Sequence, residues 1–279
     1  MDNPIYKFKY LTEYIENNIH EVITLETLEQ ESGLSRFQLS RLFIKLCGYS
    51  PIEYIRRRKL SKSIPELYDK RKILDIAIDY GFEYEQSYIR AFRSVFKVSP
   101  TQLRKSRQEV TLTEPSKLNN IKIYSDGFLM NPEIRFLSDH EFTGEEKYYN
   151  YKDNNIYGQP LLDGIQQHKR GRFTGICIPC GNGTFTHKYI SCHSELKKNI
   201  TTYALPKGKY AVFNYTGFHD LDKMHAHRLR TLMYIVINSW AFQNKYNWQE
   251  YFIEQVNFEL LKEDYLEIDI MIPILDSKY

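Results

Sequence analysis

Two stretches of this 279-residue chain place residues able to read hydrogen-bonding edges along one face of a helix. In "GFEYEQSYIRAF" (81–92), Gln86 and Arg90 stand four residues apart with Ser87 beside them, so they share a face. Tyr88, Phe92, Val95 and Phe96 recur at helical spacing on another face. Such a helix has an apolar back and a front of Gln, Ser and Arg. Arg offers paired donors that match guanine, Gln offers a donor and an acceptor that match adenine, and Ser and Lys serve phosphates. An earlier stretch repeats the theme with Arg36, Phe37, Ser40, Arg41 and Lys45.

The elements that position the first two sets form an internal repeat. "SGLSRFQLSRLFIKLCGYSP" (32–51) aligns with "YGFEYEQSYIRAFRSVFKVSP" (80–100) on the pairs Arg41/Phe43 and Arg90/Phe92, with Pro51 and Pro100 each eight residues after the Phe. A shorter helical stretch precedes each copy, "TLETLEQES" before Gly33 and "KILDIAIDY" before Gly81. Helix, Gly-containing turn and second helix is the helix-turn-helix pattern, and Gly suits the turn because it tolerates positive φ. Ser35 is the expected N-cap of the second helix of copy one, and Ser50-Pro51 and Ser99-Pro100 each open a further helix. A second helix of this kind presents its polar front to the major groove.

Composition sets the frame. An apolar content of 42% supports a core, and no run of eighteen apolar residues is present, so no membrane span is expected. The start carries no secretory pattern, and four Cys fit a reduced, cytoplasmic chain. Residues 1–107 hold 19 Lys and Arg against 14 Asp and Glu, a balance of +5, which leaves −2 on residues 108–279. The polar stretch 106–120 separates helical periodicity from strand-like alternation, clearest in "YLEIDIMIPI" (265–274). The expected domains are therefore 1–107, a linker over 108–120, and 121–279.

The first region resembles the AraC/XylS family of transcription regulators over about residues 8–107. "ILDIAIDYGFEYEQSYIRAFRSVFKVSPTQLR" follows the family signature in Gly81-Phe82, Ser87-Tyr88, Arg90, Phe92, Phe96, Ser99-Pro100 and Arg104. The resemblance implies an all-α domain of two helix-turn-helix units joined by a long helix, both reading helices coming from one polypeptide. Carried over, the base-facing positions are Phe37, Ser40 and Arg41 in the first motif and Glu85, Gln86 and Arg90 in the second, with Ser87 toward phosphate; Arg36 and Lys45 complete the expected DNA-binding residues. Phe37 stands where the nearest relatives have Trp and keeps an apolar contact, Ser40 and Glu85 stand where they have Gln, so the DNA sequence read should differ, and Lys97 replaces a usual Gly before Ser-Pro. Pro65 falls where the joining helix should run, which implies a bent helix or a new start near Ser63. "RRRK" (56–59) reads as a phosphate contact or as a solvated helix face.

Residues 121–279 read as an α+β domain of two similar halves related by a pseudo-two-fold axis. Strands are expected around 134–149, 172–180, 202–220, 251–261 and 265–274, with helices at 157–168 and 222–244. This region resembles the GyrI-like effector-binding domain fused to such DNA-binding domains in Rob-type regulators. Pro206, Gly208, Tyr210, Ala211, Phe213, Gly217, Glu254 and the closing "EIDIMIPI" carry the match. In relatives that sense lipophilic cations a buried Glu meets the charge, and Glu254 stands at that position. Tyr210, Trp240, Trp248, Tyr251 and Phe252 are the expected pocket walls.

"CIPCGNGTFTHKYISCH" holds Cys177, Cys180, His187, Cys192 and His193, a set that could bind zinc. It lacks a second compact pair, and Cys177 alternates with Ile176 and Ile178 as a buried strand residue would, so no metal or other cofactor is expected. His225 and His227 are two apart and would not share a helix face. The reading that results is a cytoplasmic DNA-binding regulator, an activator, that is not an enzyme. It binds double-stranded DNA as a monomer, contacts RNA polymerase, answers to a small amphipathic effector and needs no membrane. The alternatives are a second domain that hydrolyses its ligand, or one that only docks a partner.

Overall fold

The structure is a computed structural model that describes residues 3–69, 71–118, 121–124, 127–150, 159–167, 171–180, 186–193, 199–218, 240, 247–248, 251–261 and 264–275. The chain divides into two compact units, Met1–Asn119 and Asn120–Tyr279. No helix among the described residues is long and apolar enough to cross a membrane.

The first unit is helical: α1 (Pro4–Asn17), α2 (Leu25–Ser32), α3 (Arg36–Cys47), α4 (Pro51–Tyr68), α5 (Ile73–Asp79), α6 (Glu85–Phe96) and α7 (Pro100–Ser106). Its caps follow from the sequence. Ser35 accepts from the Gln38 amide in a reciprocal capping box, and Ser50 and Ser99 cap α4 and α7 with a Pro in the first turn. Gly33 and Gly81 take φ of 65° and 73° at the two helix-turn-helix corners. Gly48 closes α3 with φ 78°, and at the equivalent end of α6 Lys97 takes φ 63°.

Helix α4 belongs to both helix-turn-helix cores. Tyr54 packs edge-on against Phe43 of α3, which in turn meets Phe8 of α1. Further along, Leu60, Ile64 and Leu67 join Tyr88, Phe92 and Phe96 of α6. Pro65 lies inside α4, one turn before its end, and no helix starts at Ser63. Ser63 is instead buried, bonding the Leu60 carbonyl and the Tyr88 hydroxyl, each at 2.8 Å. A Pro one turn from the terminus removes a single i→i−4 bond, and the core contacts on both sides of it hold the helix together.

The Arg56–Lys59 run divides, with Arg56 exposed, Arg57 half-buried and Arg58 and Lys59 buried, so it is not a solvated face as a whole. Arg56 and Arg57 pair with Glu53, and Arg57 stacks on Tyr49. Arg58 is buried and bidentate to Glu16 at 2.6 and 2.8 Å. Lys59 is buried too, donating to the carbonyls of Glu21 at 2.5 Å and Tyr80 at 2.9 Å. Residues 108–118 form no helix or strand, yet they lie on α4. The Arg58 guanidinium donates to the Thr113 carbonyl, the Thr113 amide donates to Ser61, and the Ser116 amide donates to the Tyr54 hydroxyl.

The second unit is an antiparallel sheet with α8 (Gln159–Gln167) on one face. Its strands are β1 (Ile121–Ile123), β2 (Gly127–Met130), β3 (Glu133–Leu137), β4 (His140–Asn150), β5 (Arg172–Pro179), β6 (Thr186–Cys192), β7 (Ile200–Leu205), β8 (Gly208–Phe218), β9 (Asn247–Trp248), β10 (Phe252–Asn257) and β11 (Tyr265–Leu275). The order β8-β11-β10-β5-β6-β4 is symmetric about the β10–β5 pair. Each half puts its first strand outermost, its third next and its second innermost, as a pseudo-two-fold repeat requires. The helix expected over 222–244 falls outside the described residues, apart from Trp240. Strand β6, read in the sequence only as a Cys/His cluster, was not anticipated.

Two corners close the sheet path. Ser138-Asp139 joins β3 to β4 and Pro206-Lys207 joins β7 to β8, with Leu137 opposite Gly208 and His140 opposite Leu205. The Lys207 amide donates to Asp139 at 2.9 Å across the corner. Because β3 pairs with β8 and β4 with β6, the ribbon leads from one end of the path back to the other. One face therefore looks inward, lined by Ile176, Ile190, Leu205, Tyr210, Val212 and Ile253. The other meets α8 through Phe173, Phe213, Phe252, Ile268 and Ile270.

Candidate functional site

In α3, Phe37, Ser40 and Arg41 fall on one stripe at i, i+3 and i+4, while Leu39, Leu42 and Phe43 are buried behind them. In α6, Gln86 and Arg90 are exposed, Glu85 and Ser87 are half-buried, and Tyr88 and Phe92 are fully buried. Both helices thus carry these residues in front of a buried apolar face, as their spacing predicts. Lys45 lies in the last turn of α3. Arg36 is drawn back onto α2, pairing with Glu29 at 2.9 Å and Glu26 at 3.3 Å. An exposed pair of this kind is weak enough for a phosphate to displace.

Within the first unit the two helix-turn-helix motifs are braced against each other by a contact the sequence did not reveal. Lys59 from α4 bridges the Glu21 carbonyl of the first motif and the Tyr80 carbonyl of the second. Beside it, His20 Nδ1 lies 2.9 Å from the Asp79 carbonyl, and its ring sits 4.7 Å from that of Tyr80. Burial pushes the Lys59 ammonium below its ordinary pKa, with Glu21 opposing the shift. A Cβ on Gly81 would come within 2.9 Å of Lys59 Nζ and 3.4 Å of two backbone oxygens. Gly81 therefore serves both the positive φ and the close approach of the lysine.

In the second unit Glu254 is 2% exposed and lies on the α8 side of the sheet. Tyr189 Oη donates to Glu254 Oε2 at 2.8 Å. Burial pushes the carboxyl up to about 7 from its ordinary 4.5, and the Tyr189 bond opposes that shift. Tyr189 is itself held well above its usual range by burial and by the neighbouring Glu254, so the phenol keeps its proton. Gly175 stands opposite Glu254 in the ladder, and a Cβ there would lie 1.7 Å from Tyr189 Oη. The glycine is the space that the phenol occupies. Tyr149 stands edge-on to Tyr189 at 6.2 Å, with its hydroxyl 3.5 Å from Asp163 of α8.

The expected walls divide. Phe252, two residues from Glu254, shares its face, and Trp240 packs edge-on against Phe213 at 5.2 Å on that same side. Tyr251, three residues away, points to the inner face, where its hydroxyl meets that of Tyr210 at 2.8 Å. Strand side chains alternate, so odd separations cross the sheet, and neither Tyr210 nor Tyr251 lines the Glu254 side. The Trp248 side chain lies outside the described residues. Sequence reasoning missed Tyr189 and Gly175, which are 65 and 79 positions from Glu254 with no local pattern joining them.

The zinc set does not converge. Cys177 faces the α8 side and Cys192 the inner face. Among the described residues no three of His, Cys, Asp and Glu cluster as metal ligands. His225 and His227 lie outside the described residues.

Comparison with known proteins follows the same division. A helix-turn-helix domain family matches residues 28–106, and a family of integron-associated effector binding proteins matches residues 146–274. The multiple antibiotic resistance protein MarA of Escherichia coli is 34% identical over 100 residues, which cover 36% of this chain and 79% of MarA. The transcriptional activator AarP of Providencia stuartii is 33% identical over 106 residues, covering 37% of this chain and 78% of AarP. An integron cassette protein from Vibrio cholerae is 16% identical with a TM-score of 0.38, over 53% of this chain and 97% of its own. The chain belongs to the AraC/XylS family of helix-turn-helix transcription regulators, and it carries a GyrI-like effector-binding domain behind the DNA-binding one.

Proposed function

We propose that this regulator is an activator switched by a lipophilic cation that lodges against Glu254. The observation that carries the reading is a carboxyl 2% exposed among aromatic residues, with its pKa near 7. Ionised, such a group is poorly solvated, and a cation with an apolar body supplies both the missing charge and the missing contacts. Phe252, Trp240 and Phe213 are among the rings on that side. In the first unit Phe37, Ser40, Arg41, Glu85, Gln86 and Arg90 contact base edges, and Arg36, Lys45 and Ser87 contact phosphate. One copy carries both reading helices, so one copy fills a site and leaves its other surfaces for RNA polymerase.

Both Trp residues, 240 and 248, belong to the second unit, so their fluorescence reports on it. Titration with tetraphenylphosphonium should give saturable quenching in wild type and a weaker response in Glu254→Gln. Neutral triphenylphosphine oxide should bind both proteins alike. Equal binding of the cation to both proteins refutes the charge match. Binding without any change in operator affinity or transcription refutes the switch. A pKa near 7 also suits a general base, so turnover of the bound compound that is lost in Glu254→Gln would convert the reading to a hydrolase.

A further inference from the structure

The inner face of the second unit holds a site of a different character. Beside the Ser138-Asp139 corner lies a cavity of about 290 Å³. Its floor is a row of three apolar residues on adjacent strands: Val212 of β8 faces Met271 of β11, which faces Ile253 of β10. Leu137, Phe142 and Leu205 form the walls. At the mouth stand Arg135, Ser138 and His140, all exposed, with Gln255 half-buried below them. Among the described residues none that lines the cavity is acidic.

We propose that this cavity binds a small amphipathic anion, its apolar body on the Val212–Met271–Ile253 floor and its carboxylate at Arg135. The polarity is the reverse of the Glu254 side. There a buried carboxylate waits among rings; here a guanidinium and an imidazole crown an apolar hollow. Arg135 is held at the rim by Glu133, two residues away, at 2.6 and 2.9 Å. Both partners are mostly exposed, at 51% and 70%, so the pair is weakly held and a ligand carboxylate competes with Glu133 for the fork. Gln255 is tethered to Thr174 at 3.2 Å and His140 stacks edge-on to Phe142 at 4.6 Å, which fixes two more polar groups around the opening. The volume lies at the lower end of the roughly 300–1,000 Å³ usual for ligand pockets, which suits a medium acyl chain or one aromatic ring. Strand β10 serves both sites, presenting Glu254 to one face and Ile253 and Gln255 to the other.

The test follows the Met271 methyl group by carbon-13 NMR in the full-length protein, assigned with Met271→Leu, during titration with octanoate, octanol and octylammonium. Octanoate should shift the Met271 signal saturably, with octanol and octylammonium each weaker by about five-fold or more. Arg135→Gln should weaken octanoate by about the same factor, and Glu133→Gln, which frees the guanidinium, should tighten it. Both positions are exposed, so neither variant threatens the fold. Excess tetraphenylphosphonium should leave the octanoate titration in place. The proposal fails if octanoate leaves Met271 unmoved, if octanol binds as tightly, if Arg135→Gln changes nothing, or if the cation displaces octanoate.

Discussion

Replacing Glu254 by Gln should stabilise the second unit at alkaline pH and have little effect at acid pH. The carboxyl sits at about 7 in the folded chain against an ordinary 4.5, so between these values the folded state holds a proton that the unfolded chain has released. Stability therefore falls as pH rises through that window. Below it the burial costs nothing, and above it the full cost is about 3 kcal/mol, from about 1.4 kcal/mol per pKa unit. Gln keeps the shape and an oxygen for the Tyr189 hydroxyl but has no proton to lose. Denaturant unfolding of the full chain, followed by Trp fluorescence, should give a variant-minus-wild-type difference near zero at pH 4.5. By pH 8.5 that difference should reach about 3 kcal/mol. The same proton competes with a cationic ligand, so affinity should drop about ten-fold per pH unit below 7 in wild type and stay flat in the variant. A stability difference that does not change with pH would show that the carboxyl titrates normally and that the burial argument is wrong.

Gly175→Ala drives a methyl into the Tyr189 hydroxyl and should cost about 2–4 kcal/mol by displacing the phenol, read as a lower melting temperature of the second unit. Lys59→Met leaves the Glu21 and Tyr80 carbonyls without their shared donor and should cost about 2–4 kcal/mol in thermal unfolding of the first unit; an unchanged melting temperature would deny the brace. Lys97→Gly relieves a side chain held at φ 63° and should stabilise by about 0.5–1 kcal/mol, whereas the same change at an exposed mid-helix position would destabilise. Arg41→Ala and Arg90→Ala should each weaken operator binding by about 1–3 kcal/mol and relax base preference at one position; wild-type binding by both would show that the reading faces are misassigned.

The helical unit was legible because its signals are local. Caps at Ser35, Ser50 and Ser99, glycines at the corners and 3.6-residue periodicity each act within a few residues, and the repeat supplied the arrangement. What was missed there was in principle visible. Arg58 and Lys59 lie four residues after Tyr54 and Ile55, so they continue the buried face of α4, but four cations in a row obscured that periodicity. The alternation of β11 was read correctly, since Leu266, Ile268, Ile270 and Ile272 share one face as their spacing requires. The pocket walls were not, because Tyr251 and Tyr210 were grouped by closeness to Glu254 or by motif rather than by parity. Strand β6 was hidden because Tyr189 and Ile190 are buried on opposite faces, which removes the polar alternation of a half-exposed strand. The Tyr189–Glu254 contact depends on the β5–β6 and β5–β10 ladders together, and no single stretch encodes it.

Helix α4, shared by two cores and bolted by Lys59, makes distance itself a recognised quantity. One extra base pair between two half-sites moves one of them by about 3.4 Å and turns it by about 35° around the duplex axis. Independent motifs on a loose tether could follow such a change. Two motifs fixed to one helix cannot follow it without breaking the Lys59 contacts or deforming the DNA. With α3 and α6 as the reading helices, the expected outcome is that the interval between half-sites is selected together with the bases, through Lys59 contacts made inside the protein.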